Sequence, residues 1–300
     1  MRRSVFKGAL IVLSVGGLLA VGTSPAFADS PNGEIQQTVH VIGNGSVAHL
    51  DHTTIQSGSI RFAVSSTQAT GPTGSGSDIT MFQPRAGVSV SRVLHDMQDE
   101  FSQNPRMAAD GTRETTQDAR ILGLADVLKG NPVVVTEFLS PGTYYVADLA
   151  NVPTNGPPAL TTLTVRPAGA NIEQDSDLAS QVSVRTTSAD RFVAPRDWPH
   201  QGTYTFKNVS DTMHFMTMQP VKPGTTDAQI QAYFDSNPSG PPSFALNGPT
   251  TGNDVLTPGE TLQLSYNLPR GTYALLCFVP DDVTGMPHAI MGMHKVVVLH

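Results

Sequence analysis

The feature that most constrains the fold is a degenerate internal repeat, because two copies of one pattern require two copies of one structural unit. Gly58-Ser-Ile-Arg-Phe62 in the first half corresponds to Gly202-Thr-Tyr-Thr-Phe206 in the second, and each begins a run with apolar residues at alternate positions. This period of two predicts a strand with one buried face. Two further pairs of segments correspond in the same way: Met81-Phe-Gln-Pro84 with Thr217-Met-Gln-Pro220, and Leu139-Ser-Pro-Gly-Thr-Tyr-Tyr-Val146 with Leu268-Pro-Arg-Gly-Thr-Tyr-Ala-Leu275.

A helical segment follows the Gln-Pro pair in each half. The apolar residues of the first segment share one helical face; they are Val90, Val93, Leu94, Met97 and Phe101. The second segment, 226–234, is shorter and has Thr226 as a suitable N-cap. Short alternating strands separated by proline- and glycine-rich turns indicate β-sandwiches. The sequence therefore predicts an all-β fold of two tandem β-sandwiches, each with a short helical insertion.

Residues 1–28 have the features of a signal peptide. Arg2, Arg3 and Lys7 form a basic start, an apolar stretch follows, and Ala26-Phe27-Ala28 forms a small-residue cleavage site. We therefore expect a secreted, extracytoplasmic protein. No other stretch is apolar and long enough to predict a membrane span. A polar connector places a first domain at 29–170 and a second at 182–300.

The charge of the chain excludes one class of partner. Lys and Arg number 18 against 25 Asp and Glu, which gives a formal net charge of −7. Nucleic acids and anionic lipids attract basic surfaces, so we expect no nucleic-acid partner.

Cys277 is the one cysteine of the chain and cannot form an intramolecular disulfide. An exposed thiol would be open to oxidation in the predicted compartment, so Cys277 is either buried and inert or held as a thiolate by a metal. In the predicted strand 272–278, Cys277 shares a face with Tyr273 and Leu275, and its thiol therefore points into the core.

Three further candidate donors accompany the thiol. His214 begins a predicted strand, His288 follows Cys277 after a loop of ten residues, and Met293 comes five positions after His288, with Met286 and Met291 near enough to compete. We expect the loop to return His288 to the end of the sandwich that carries Cys277 and His214. Two imidazoles, a thiolate and a weak axial thioether are the donors of a mononuclear type 1-like copper site.

The repeat supports this interpretation because the first half keeps the scaffold residues and lacks the donors. The positions aligned with the four donors His214, Cys277, His288 and Met293 hold Asp78, Asp148, Ala159 and Thr164. Asp281 and Asp282, which lie between Cys277 and His288, are expected in a solvated loop.

The spacing of these residues resembles that of a known family. Gly271, Tyr273 and Cys277, followed by His288 and Met293, are similar to the copper-binding end of plastocyanin-like cupredoxins. The resemblance implies two cupredoxin-like Greek-key β-sandwiches, with copper at one end of the second and no ligands in the first. Two features depart from the family pattern: the long loop before His288, and Phe215 after His214, where many members carry an asparagine.

The resemblance favours a non-enzymatic one-electron carrier with a redox partner protein. Multicopper oxidases and two-domain nitrite reductases would need His-x-His pairs, which the sequence lacks, and Leu276 and Phe278 leave no histidine beside Cys277. Two alternatives stay open: a Cu(I) sequestration or delivery protein, and a metal-free β-sandwich interaction module. The first is favoured by six methionines that flank the two histidines, namely Met213, Met216, Met218, Met286, Met291 and Met293.

Overall fold

A computed structural model of the chain describes residues 37–68, 76–152, 157–168, 180–236 and 240–300. The predicted signal peptide lies outside these residues, as does most of the connector between the two predicted domains. The cleavage site and the domain boundaries therefore remain predictions. Among the described residues, no helix has the length and apolar character needed to cross a membrane.

Strands dominate the first half, and a pair of helices lies between the fifth and sixth of them. The elements are β1 (Gln37–Gly43), β2 (Ala48–Leu50), β3 (Thr54–Gln56), β4 (Gly58–Ser66), β5 (Ser77–Pro84), α1 (Val90–Glu100), α2 (Pro105–Asp118), β6 (Ala119–Ile121), β7 (Ala125–Val127), β8 (Val133–Leu139), β9 (Gly142–Asp148) and β10 (Leu160–Arg166).

The second half has a similar order with one shorter helix. Its elements are β11 (Val182–Arg185), β12 (Asp197–Trp198), β13 (Gln201–Lys207), β14 (His214–Val221), α3 (Asp227–Asp235), β15 (Thr251–Leu256), β16 (Thr261–Asn267), β17 (Gly271–Leu276) and β18 (His294–Leu299). The prediction of an all-β fold with helical insertions is confirmed.

The predicted helix start at Thr226 agrees with the structure, and the helix α2 was missed. Thr226 caps α3, where its side chain and that of Gln229 form a reciprocal capping box. The sequence reasoning did not find α2, although Asn104 accepts a hydrogen bond from the Arg106 amide as its N-cap and Pro105 occupies its first position. Asparagine followed by proline is a recognised signal for a helix start.

Two sheets, each built from both halves, enclose the core. Their strand orders are β11-β13-β16-β8-β4-β1-β2 and β12-β18-β17-β14-β15-β7-β5-β9-β10-β3, with β6 paired to β5. The halves meet where β16 pairs with β8 and where Gly252 of β15 pairs with Asp126 of β7. Backbone pairing thus continues across the junction in both sheets.

The sequence repeat corresponds to repeated local structure. The Tyr144 hydroxyl donates to the Ser140 carbonyl at 2.9 Å, and the aligned Tyr273 hydroxyl donates to the Pro269 carbonyl at 2.9 Å. Both contacts span four residues at the start of the corresponding strands β9 and β17. The same scaffold feature is therefore built twice.

Candidate metal centre

Three of the four predicted donors converge at one end of the second half. His214 opens β14, and Cys277 comes directly after the end of β17. These strands are antiparallel neighbours, so the start of one lies beside the end of the other. His288 reaches the same place from the loop between β17 and β18, as the sequence predicted.

The distances between these donors are those of ligands to a single ion. Sγ of Cys277 lies 3.7 Å from Nδ1 of His214 and 3.7 Å from Nδ1 of His288. Bonds of about 2.3 Å to sulfur and about 2.0 Å to nitrogen, as in zinc sites, meeting at a trigonal angle near 120°, would separate the two atoms by about 3.7 Å. All three side chains are fully buried.

Backbone hydrogen bonds hold the ligand loop in place. The His288 amide donates to the Val279 carbonyl at 3.0 Å, and the Ala289 amide donates to the Cys277 carbonyl at 2.6 Å. The Met293 amide donates to the His288 carbonyl at 2.8 Å, which keeps Met293 next to the loop that carries the imidazole. The position of His288 is therefore set by the main chain.

The candidate thioethers differ in burial. Met293 is fully buried, Met286 is 42% exposed and Met291 is partly exposed. Burial favours Met293 among these three as the axial donor, and its role as a ligand remains a prediction.

Burial sets the protonation of the donors when no metal is bound. It raises the pKa of the Cys277 thiol to about 12, although hydrogen bonds from the backbone amides of Phe215 and Val279 oppose the rise. Burial and then the positive charge of His214 lower the pKa of His288 to about 4. At neutral pH a metal therefore meets a neutral imidazole at His288 and displaces one proton from the thiol.

Asp190 is a contributor that the sequence reasoning missed. Its Oδ1 lies 3.1 Å from Nε2 of His214, on the side of the ring opposite Cys277. Burial raises the pKa of Asp190, but the hydrogen bond to His214 and the charges of His214, His288 and Arg191 lower it on balance. A carboxylate at this position fixes which ring nitrogen faces a metal and makes that nitrogen a stronger donor.

Phe215 stands where many family members carry an asparagine, and a different asparagine holds the segment before His214 in place. Asn208 is fully buried, and its Nδ2 donates to the carbonyls of Thr212 and Leu256, each at 2.8 Å. The asparagine thus joins the segment before His214 to β15. This contact was missed because it lies six residues before the histidine.

The expectation for Asp281 is wrong. Its side chain is only 9% exposed, and Oδ1 accepts hydrogen bonds from the Thr284 amide at 2.6 Å and the Thr284 hydroxyl at 2.5 Å. A tight turn inside the loop buries this carboxylate, whereas the sequence suggested a solvated chain.

The ligand loop also rests on the first half. Nη1 of Arg113 in α2 donates to the Asp282 carbonyl at 3.2 Å. Gly285, with φ of 69°, packs so closely on Pro105 at the start of α2 that a Cβ would overlap the Pro105 carbonyl. Only glycine tolerates both the backbone conformation and the contact.

Comparisons with known proteins give only distant similarity. No protein-family model matches the chain, and no curated protein matches it either. Reduced auracyanin from the photosynthetic bacterium Roseiflexus castenholzii is 23% identical, with a TM-score of 0.26, over 39% of this chain and 94% of that chain. Auracyanin B is 18% identical, with a TM-score of 0.25, over 44% of this chain and 96% of that chain.

A match over most of the chain is equally remote. Copper nitrite reductase from Nitrosomonas europaea is 12% identical, with a TM-score of 0.21, over 89% of this chain and 94% of that chain. All these TM-scores are low, so the interpretation of the site rests on its own residues.

Proposed function

We propose that the chain is a copper-binding protein of the cupredoxin type, with one mononuclear type 1-like site formed by His214, Cys277, His288 and Met293. The pair of 3.7 Å sulfur-to-nitrogen distances at a fully buried pole is the observation that carries this proposal. Thiolate and thioether suit Cu(I), and imidazole suits both oxidation states. Bound copper would supply a one-electron redox couple.

The rigidity of the donors supports electron transfer. His214 pairs with Leu256 of β15, and backbone hydrogen bonds fix Cys277 and His288, so the ligands can keep one geometry in both oxidation states. We assign the protein as a secreted carrier that exchanges single electrons with a redox partner protein. Because the sequence has no His-x-His pair, we place it outside the multicopper enzymes.

Cu(I) sequestration or delivery is the second candidate. Met286 is 42% exposed in the ligand loop and Met291 is partly exposed, so two methionine side chains are accessible to solvent near the site. The other four flanking methionines are fully buried. Met293 is the proposed axial donor, and Met213, Met216 and Met218 have the packing role that is usual for this residue.

Adding one equivalent of Cu(II) to the mature protein tests the two functions. We expect an intense visible thiolate-to-copper band that is lost in Cys277→Ser and kept in Met286→Leu, a matched change in the same loop. Tight colourless Cu(I) binding without that band would favour sequestration. A chain that binds neither oxidation state would leave only the metal-free interaction module.

A further inference from the structure

The imidazole of His288 has two nitrogens in different surroundings. Nδ1 lies 3.7 Å from Sγ of Cys277, within the soft donor set. Nε2 is also buried, and no described residue makes a hydrogen bond with it. Buried polar atoms are normally paired, so this nitrogen indicates a partner that the protein itself does not supply.

Two carboxylates lie beside this ring. One ring nitrogen of His288 and one carboxylate oxygen from each of Asp190 and Asp281 lie within 4.8 Å of one another. Ligands about 2 Å from a tetrahedral zinc ion stand about 3–4 Å apart, so small side-chain rotations would bring these three atoms to bonding distance. Asp281 and His288 are buried and Asp190 is half-buried, which keeps most water away from the position between them.

Each carboxylate is oriented through one oxygen and keeps the other available. Oδ1 of Asp190 faces Nε2 of His214 at 3.1 Å. Oδ1 of Asp281 accepts from the amide and hydroxyl of Thr284 and from the Val283 amide at 3.3 Å. Such outer contacts are what hold metal-binding carboxylates in position.

The surrounding charge also favours a cation. The carboxylates of Asp281, Asp211 and Asp190 act on that of Asp282, and Arg113 is the opposing positive charge. A divalent ion between the carboxylates would reduce the mutual repulsion.

We propose that Asp190, Asp281 and His288 form a second cation site, joined to the copper site through the shared imidazole. Two carboxylate oxygens and one imidazole nitrogen suit a borderline divalent ion of the Zn²⁺ class and not the softer Cu(I). Binding at Nε2 while Nδ1 holds copper releases the remaining ring proton to solvent. This inference goes beyond the proposed function, because the second site does not need the thiol.

Zinc binding to the Cys277→Ser chain tests the second site without the thiolate. Calorimetry and metal analysis after gel filtration are expected to show one Zn²⁺ per chain. Adding Asp281→Asn should lower the affinity about tenfold or more. Adding Asp282→Asn, which removes the same charge one residue away, should change it by less than about threefold.

The asparagine at 281 keeps an oxygen for the Thr284 hydrogen bonds, so we expect the variant to fold, and thermal unfolding checks this. Asp190→Asn is a second, independent variant and should also weaken zinc binding. No bound zinc, or equal losses in the Asp281 and Asp282 variants, would overturn the site.

A second readout tests the shared ring. In wild-type protein loaded with Cu(II), Zn²⁺ should change the copper electron paramagnetic resonance spectrum, and Asp281→Asn should abolish the change. Bound zinc with an unaltered copper spectrum would refute the bridge. If the chain binds no copper, the proposed function fails, whereas the zinc measurement on Cys277→Ser still decides the second site.

Discussion

The corresponding poles of the two halves use their polar groups in opposite ways. In the first half, Asp148 occupies the position aligned with Cys277. Its carboxylate accepts hydrogen bonds from the amides of Gly45 at 2.7 Å, Asp78 at 3.1 Å and Ala150 at 3.2 Å. The protein therefore satisfies this group with its own backbone.

The second pole leaves more of its hydrogen-bonding capacity unused, although the backbone amides of Phe215 and Val279 donate to Cys277. Sγ of Cys277 faces two imidazoles, and Nε2 of His288 has no hydrogen-bond partner among the described residues. One sandwich frame thus supports a self-contained polar cluster in the first half and a set of donors ready for an ion in the second. A cluster becomes a binding site when the fold does not consume its hydrogen-bonding capacity.

The largest expected effect tests whether Asp148 is structural. Asp148→Ala leaves three amides without their acceptor, and each buried orphan costs about 1–3 kcal/mol. We expect the free energy of unfolding of the metal-free protein to fall by roughly 3–5 kcal/mol in urea denaturation. Cys277→Ser at the other pole should change it by less than about 2 kcal/mol. Similar losses of unfolding free energy in the two variants would show that the two poles do not differ in this way.

Copper should stabilise the protein through the second pole alone. A ligand at 100 times its Kd that binds only the folded chain adds about 2.7 kcal/mol to the free energy of unfolding. We expect a matching rise in Tm for the wild-type chain and a clearly smaller one for Cys277→Ser in calorimetry. An equal Tm rise in Cys277→Ser would place the ion elsewhere.

Asp190→Asn should raise the reduction potential of the copper-loaded protein. A negative charge about 5–6 Å from the ion stabilises Cu(II) over Cu(I) by about 3 kcal/mol at an effective dielectric constant near 20. For one electron this corresponds to a shift on the order of 100 mV in spectroelectrochemistry. Asp211→Asn serves as a control, because Asp211 makes no hydrogen bond to His214. An equal shift in reduction potential in that variant would show that the contact of Asp190 with His214 has no particular effect on the copper ion.

The smallest expected effect concerns the buried carboxyl groups of Asp78 and Asp254, which lie where the two halves meet. Burial, then the charges of Asp254 and Asp126, raise the pKa of Asp78 well above its ordinary value, and burial raises that of Asp254 to about 6. The pKa of Asp254 is higher in the folded protein than in the unfolded chain. Its contribution to the free energy of unfolding is therefore complete below about pH 4 and is lost as the pH rises through 6.

Asp254→Asn should therefore remove a decline in unfolding free energy between about pH 4 and 6, on the order of 2 kcal/mol. Urea denaturation of the metal-free protein across this range measures it, with Asp235→Asn on the exposed face of α3 as the control. An unchanged decline in Asp254→Asn would show that these carboxyls ionise normally in the folded protein.

Sequence periodicity could place Cys277 because this residue follows a strand with a regular alternating pattern. The period of two placed Cys277 inward beside Tyr273 and Leu275, and comparison of the halves separated donors from scaffold. In the structure His214, Cys277 and His288 come together as expected. Their roles as ligands still await a metal-binding measurement.

What the sequence did not reveal depends on contacts between distant segments. Asp190 meets His214 from a loop 24 residues away, and no spacing rule connects them. Helix α2 escaped notice because its buried face is made of small residues and not of large apolar ones; they are Ala108, Ala109, Gly111, Thr112 and Thr115. The pairing of β8 with β16 was hidden because strand patterns do not name a partner.

The contact of Gly285 and Asp282 with α2 makes the first half part of the support of the candidate site. Because this helix holds the loop that carries His288, we expect a bulky substitution at the contact to displace His288. Removing the first half would also uncover the edges of β15 and β16, where unpaired strands invite aggregation. We therefore expect the second half expressed by itself to lose both its solubility and the geometry of its donors.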